Sequence, residues 1–190
     1  MRRRSLLPAV SGLMLLVASG CGDDDVNRTG PPITTVEDHL DFRDAEGQPI
    51  DFGPGAETFI WCGPWESDVE EPALHVFVGT VDPPRAWQLM VVLDDVDPGE
   101  SVTFPNEFVF DQPRNAHLFI VDPPNQGATD TEDSFGAITF TRIACGTDGA
   151  VEFTIDATIG SEFGDGPIVT VTGSFRGPVG NSPDWYDGGN

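Results

Sequence analysis

The residues of this 190-residue chain that could carry chemistry are three His, three Cys, four Trp and two clusters of acids. His39, His75 and His117 lie far apart, with no H-E-x-x-H or H-x-H spacing to place two imidazoles on one metal. There is no G-x-S-x-G elbow to raise a serine beside a base. No glycine-rich loop has the spacing that cradles a phosphate or a dinucleotide. Two facing carboxylates could hydrolyse a glycoside, but 32 acids single out no pair. No catalytic residue is named, and a non-enzymatic role is expected. His75 and His117 each begin an apolar run, where a hydrogen-bonded structural histidine is the common case.

The acids cluster in two turns. Asp94, Asp95, Asp97 and Glu100 sit in one, and Asp122, Asp130, Glu132 and Asp133 in the other. Calcium is held by several oxygens, often from loop carboxylates. Asp94, Asp95, Asp97, Asp122, Asp130 and Asp133 are therefore calcium candidates, although neither turn has EF-hand spacing. The competing reading is a solvated acidic rim. One bent strand over 101–110 would put both turns at the same end of the domain, and a hairpin at Pro105-Asn106 would part them. No cofactor other than calcium is expected. Among the tryptophans, Trp61 and Trp87 lie in strand-like runs and read as core. Trp65 follows Cys62-Gly63-Pro64 in an expected loop, where it could stack on a sugar or a peptide. Trp185 lies in the tail and is expected to dock on a sheet.

The elements that must position these residues are short strands. Val151, Phe153, Ile155, Ala157 and Ile159 alternate with Glu152, Thr154, Asp156, Thr158 and Gly160, a period of two. Val169, Val171, Gly173 and Phe175 alternate with Thr170, Thr172 and Ser174. With 136–144 these predict a meander with one wet face. Residues 73–81 are almost wholly apolar, as suits a central strand buried on both faces, and 117–121 is similar in character. Further strands are expected over 57–62 (ended by Gly63-Pro64), 86–96, 101–104 and 107–110. A hairpin is expected around Asp44-Ala45-Glu46-Gly47. His75 to Pro84 echoes His117 to Pro124, and each ends in Asp-Pro-Pro, a sound way to leave a strand. With 22 Gly and 17 Pro, the chain reads as all-β. The expected fold is an antiparallel β-sandwich, immunoglobulin-like or jelly-roll-like, of about ten short strands.

Charge narrows the partners. The chain has 9 basic residues, all Arg, against 32 acidic ones. Without residues 1–20 the balance is six Arg against 32 acids, or −26. Such a polyanion repels nucleic acid and anionic headgroups.

The first 25 residues say where the protein goes. Arg2 to Arg4 form a basic head, and Leu6 to Ala18 is an apolar run broken by Pro8, Ser11 and Gly12. That run is shorter than the roughly 20 residues needed to span a bilayer, and the pattern is that of a cleaved export signal. Ala18-Ser19-Gly20-Cys21 resembles the lipobox of bacterial lipoproteins processed by the signal peptidase II route, with Ala18 where the family usually has Leu. The resemblance implies that Cys21 becomes an acylated N-terminus, a firm membrane anchor. Arg3-Arg4-Ser5-Leu6-Leu7 partly resembles a twin-arginine motif but lacks the Ser/Thr before and the Lys after, so Sec-type export is expected, with the twin-arginine route as the alternative. Gly22 after the cysteine resembles lipoproteins released to the outer rather than the inner membrane. From Ile138, ITFTRI, FTIDATIG and VTVTGSF resemble the C-terminal sheet of β-sandwich lipoproteins of unassigned function.

These readings divide the chain into a signal (1–20), an acylated acidic tether (21–36), a β-sandwich (37–176) and a loose tail (177–190). With Cys21 used by lipid, Cys62 and Cys145 remain. In an exported protein they are expected to form a disulfide, the alternative being two buried thiols. The expected function is a lipid-anchored envelope module that binds or supports an envelope protein or a glycan. The alternative is a calcium-dependent, carbohydrate-directed sandwich.

Overall fold

The computed structural model describes residues 31–184, apart from 67–68, 81–83, 95, 106–115, 123–124 and 162–166. Eleven strands lie among the described residues: β1 (Glu37–Asp38), β2 (Asp41–Asp44), β3 (Glu57–Glu66), β4 (Val69–Thr80), β5 (Arg85–Val92), β6 (Ser101–Phe104), β7 (Ala116–Asp122), β8 (Asn125–Ala128), β9 (Phe135–Ala144), β10 (Ala150–Ser161) and β11 (Pro167–Pro178). All pairings are antiparallel, and the fold is an all-β, sandwich-like curled sheet. Among the described residues no helix is long and apolar enough to cross a membrane.

The curl has two halves. In one, β6, β9, β10 and β11 lie side by side, with β1 and β2 on the far side of β11. In the other, the order is β3-β4-β5-β7-β8. They join where Ala128 and Gly127 of β8 pair with Gly160 and Ser161 of β10. Between them, Leu74, Leu89 and Leu118 meet Phe140, Phe153 and Phe175 in one core. The Trp87 ring sits edge-on to Phe175, with centroids 5.3 Å apart.

Sequence pattern accounts for most of this. The expected meander over β9, β10 and β11 is present, with Ile155 opposite both Ile138 and Gly173. The apolar run in β4 is buried on both faces from Ala73 to Val78: Leu74, Val76 and Val78 enter the inter-sheet core, and Phe77 packs with Trp61 and Ala86 on the other face. β4 stops before its Asp-Pro-Pro segment, and β7 ends on the Asp of its own.

Other expectations are corrected. Gly63-Pro64 does not end β3, which continues to Glu66 with Pro64 opposite Pro72. Among the described residues β3 pairs with β4 alone, and an edge strand accommodates a residue without an N–H. Trp65 therefore lies in a strand rather than a loop. β5 ends at Val92 rather than at Val96. β8 had no forecast: its four residues are too few to show a period. The hairpin turn at 44–47 forms, with Asp44 Oδ1 accepting from the Gln48 amide at 2.7 Å, but its second arm is a single bridge, Arg43 to Pro49.

Both ends of the domain are longer than expected. β11 reaches Pro178, the Val179 amide bonds Gly149 O, and the Gly180 amide bonds Ile60 O at 2.7 Å. That last bond covers the open edge of β3. At the other end Arg142, 4% exposed, donates to Pro31 O at 3.0 Å and to Asp148 O at 3.4 Å. Pro31 is thus pinned to the sandwich.

Candidate functional site: a cleft on the wet sheet face

Alternation sends Glu152, Thr154, Asp156 and Thr158 of β10 outward, while Phe153, Ile155, Ala157 and Ile159 enter the core. On β11 the outward set is Thr170, Thr172, Ser174 and Arg176. The register pairs Glu152 with Arg176, Thr154 with Ser174, Asp156 with Thr172 and Thr158 with Thr170. On the other side of β11, Glu37 stands opposite Arg176. One row therefore reads carboxylate, guanidinium, carboxylate across three strands.

Two local irregularities shape a cleft here. Gly173 has φ +131°, and a Cβ on it would lie 2.2 Å from the His39 carbonyl oxygen. Only glycine lets the chain after β1 approach β11, where the His39 amide bonds Ser174 O at 2.9 Å. On β9 the ladder slips between Glu152 and Phe153, which face Arg142 and Phe140. Thr141 is the extra residue of this bulge, and its hydroxyl bonds Glu152 O at 3.2 Å. The result is an open cleft of about 240 Å³ whose polar walls include Glu37, His39, Thr141, Glu152 and Arg176.

Its charges are largely paired within the cleft. Arg176 Nη2 donates to Glu37 Oε1, which holds the Glu37 carboxyl below the usual range and the guanidinium above its own. His39 Nε2 is 3.9 Å from the other Glu37 oxygen. Arg176 Nε has no hydrogen-bond acceptor among the described residues. Next along the sheet comes a row of hydroxyls, Ser101, Thr139, Thr154 and Ser174, one from each of four adjacent strands. The Ser101 and Thr139 hydroxyls are 2.6 Å apart. Two rows further, opposite Thr158, stands Phe135, 60% exposed. Such an arrangement offers donors, acceptors and one apolar platform, without a nucleophile set against a base.

The residues singled out from sequence fall elsewhere. Cys62 and Cys145 form the expected disulfide, with Cα atoms 6.0 Å apart, joining β3 to the end of β9 across the sandwich. Cys21, Asp95 and Trp185 lie outside the described residues. The other calcium candidates are dispersed. Asp122 is buried beside Arg85 at the start of β5, whose Nε donates to it at 2.7 Å. Asp94 and Asp97 follow the other end of β5 and are exposed. Asp122 and the Asp94–Asp97 turn are thus parted by the length of a strand. Asp130 accepts from His117 Nε2 at 3.2 Å, which holds its carboxyl below the usual range, and Asp133 is exposed. Among the described residues, no three His, Cys, Asp or Glu stand together as a metal group.

His75 and His117 are buried, as expected of structural histidines. They flank Met90 on the strands either side of it, so the sequence echo becomes a row across β4, β5 and β7. His75 Nε2 donates to Pro64 O at 3.0 Å, and its ring stacks on Trp61 with centroids 4.8 Å apart. Burial pushes its pKa down. Trp87 is in the inter-sheet core, whereas Trp61 is buried on the opposite, outward side of its sheet.

The cleft itself was missed in the sequence. Its signal was partial: period two on β10 and β11 puts Glu152 and Arg176 on one face, but nothing in the chain shows that Glu37 and His39 return to it. Compared with known proteins, the chain matches no family model, no curated protein and no solved structure.

Proposed function

We propose that this chain is a lipoprotein of the cell envelope, held on the outer membrane through an acylated Cys21, and that its sandwich is a non-enzymatic binding module. The observation that carries the binding role is the open polar face of β9, β10 and β11 with its cleft at Arg176. Two of the three histidines support a non-enzymatic reading, since both are buried and committed to Pro64 and Asp130. The anchor rests on the basic head, short apolar run and small-residue approach to Cys21. Pro31 and Pro32, the first described residues, are exposed. Binding is proposed to need no calcium, because Asp122 and Asp130 are engaged by Arg85 and His117.

Mass spectrometry of the mature N-terminus tests the anchor. It should find acylated Cys21 in outer-membrane fractions, and Cys21→Ser should leave those fractions. A mature chain beginning elsewhere, or a soluble wild-type chain, overturns the reading.

A further inference from the structure

We propose that the wet face of β9, β10 and β11 binds a neutral glycan chain, one end seated in the Glu37–Arg176–Glu152 cleft and the other laid on Phe135. The proposal rests on reading the sandwich as a binding module and names its ligand.

Charge selects the ligand class first. A mature balance of −26 repels acidic polysaccharides and phosphate polymers alike. On the face itself the arginines are already matched, Arg176 by Glu37 and Arg43 by Asp41 at 2.8 Å. What remains is a mixture of hydroxyls and the acceptors Glu152 and Asp156. Vicinal diols donate and accept from adjacent atoms and so match such a mixture better than a charged ligand does.

Geometry then favours a glycan over a peptide. Peptides are read by backbone pairing at a sheet edge or by apolar pockets. β9, β10 and β11 each have neighbours on both sides, so no edge is on offer. The cleft is open, and its walls mix charged and hydroxyl groups with the Phe153 and Phe175 positions beneath them, so it is not the deep apolar pocket that reads a peptide side chain. Phe135 presents a ring to solvent, in a β9 position whose cross-strand partner is Thr158. From Glu152 to Thr158 is six residues, about 20 Å of strand, the span of a short oligosaccharide. An apolar ring face at one end and a polar cleft at the other would hold such a chain extended over the hydroxyls.

Affinity electrophoresis of the purified full chain, with chelator throughout, tests this. The gels contain neutral polysaccharides (α- and β-glucans, mannan, xylan, galactan), acidic alginate, or the cationic peptide protamine. At least one neutral polysaccharide should retard the chain. Phe135→Ala and Glu152→Gln should each weaken that retardation about tenfold, roughly 1.4 kcal/mol, while Gln88→Ala on the other half of the curl leaves it unchanged. Retardation by no neutral polysaccharide overturns the proposal. So does retardation indifferent to Phe135→Ala and Glu152→Gln, or retention only by alginate or protamine. An acylated, outer-membrane chain that no neutral glycan retards keeps the anchor and loses the glycan. A chain that is retarded but not acylated does the reverse.

Discussion

On β10 the outward side chains are Glu152, Thr154, Asp156 and Thr158; on β4 the corresponding run is Ala73, His75 and Phe77. Both strands are central in their half of the curl, and both turn one face to the shared core. Yet the second face of β4 is buried, with Trp61, Phe77 and Ala86 clustered there and His75 1% exposed. The second face of β10 carries hydroxyls and charges: Thr154 and Asp156 are exposed and Glu152 half-buried, and only Thr158 at its far end is covered. One half of the curl is therefore closed on both sides by apolar contact, and the other keeps a side free. A binding surface belongs on the second, where occupation by a ligand displaces water rather than protein.

That contrast can be broken at several points. The heaviest blow falls on the link between the halves. Cys62→Ala with Cys145→Ala removes a bridge spanning 83 residues, and the chain-entropy cost is about 4.5 kcal/mol. Urea unfolding should record that loss; an unchanged midpoint would mean that the core alone holds the halves together. Trp61→Ala comes next, at about 3 kcal/mol or more, as for other buried aromatics. It lies outside the inter-sheet core, so a cost below 1 kcal/mol would show that the outer face of this half is not a true second core.

A smaller effect comes through His75. Its burial disfavours the proton, so the folded pKa lies below the unfolded value of about 6.5. The unfolded chain then binds the extra proton first, and stability falls as pH drops below that value. The slope is at most about 1.4 kcal/mol per pH unit from this group. His75→Gln should flatten it in denaturation series run on either side of the histidine range. Smallest of all, Thr154→Ala and Thr172→Ala should each change stability by less than about 0.5 kcal/mol. A larger loss would make the wet face structural and remove its claim to be free for a ligand.

The contrast was partly legible in the sequence. Alternation in β10 and β11 told which side chains leave the core, and only at Thr158, an outward position that is nonetheless buried, does it mislead about water. The continuous apolar run of β4 told of burial on both faces. Both signals are local. What sequence left unread depends on long-range returns of the chain: Glu37 meeting Arg176 across 139 residues, or Arg142 meeting Pro31 across 111. The position of Pro64 misled, because its meaning depends on whether β3 is an edge strand, and only the assembled sheet decides that. The acidic turns read as one group only if their ends coincide, and the second set is itself divided: Asp122 stays beside Arg85, while β8 carries Asp130 back to His117 at the Met90 end of β5.

The buried Arg142 has a mechanical consequence. β1 is two residues long, and Glu37 at its start forms one wall of the cleft. Tension along the N-terminal chain, such as the proposed membrane anchor would exert, would peel β1 from β11 residue by residue if nothing intervened. Pro31 is held to Arg142 before that point, on a β9 whose end is tied by Cys145 to the other half of the curl. Hydrogen exchange at Asp38 should quicken in Arg142→Met if the arginine carries this share. The load then enters the sandwich through a cross-linked strand and bypasses β1, so a domain tugged at its leash keeps its cleft in shape.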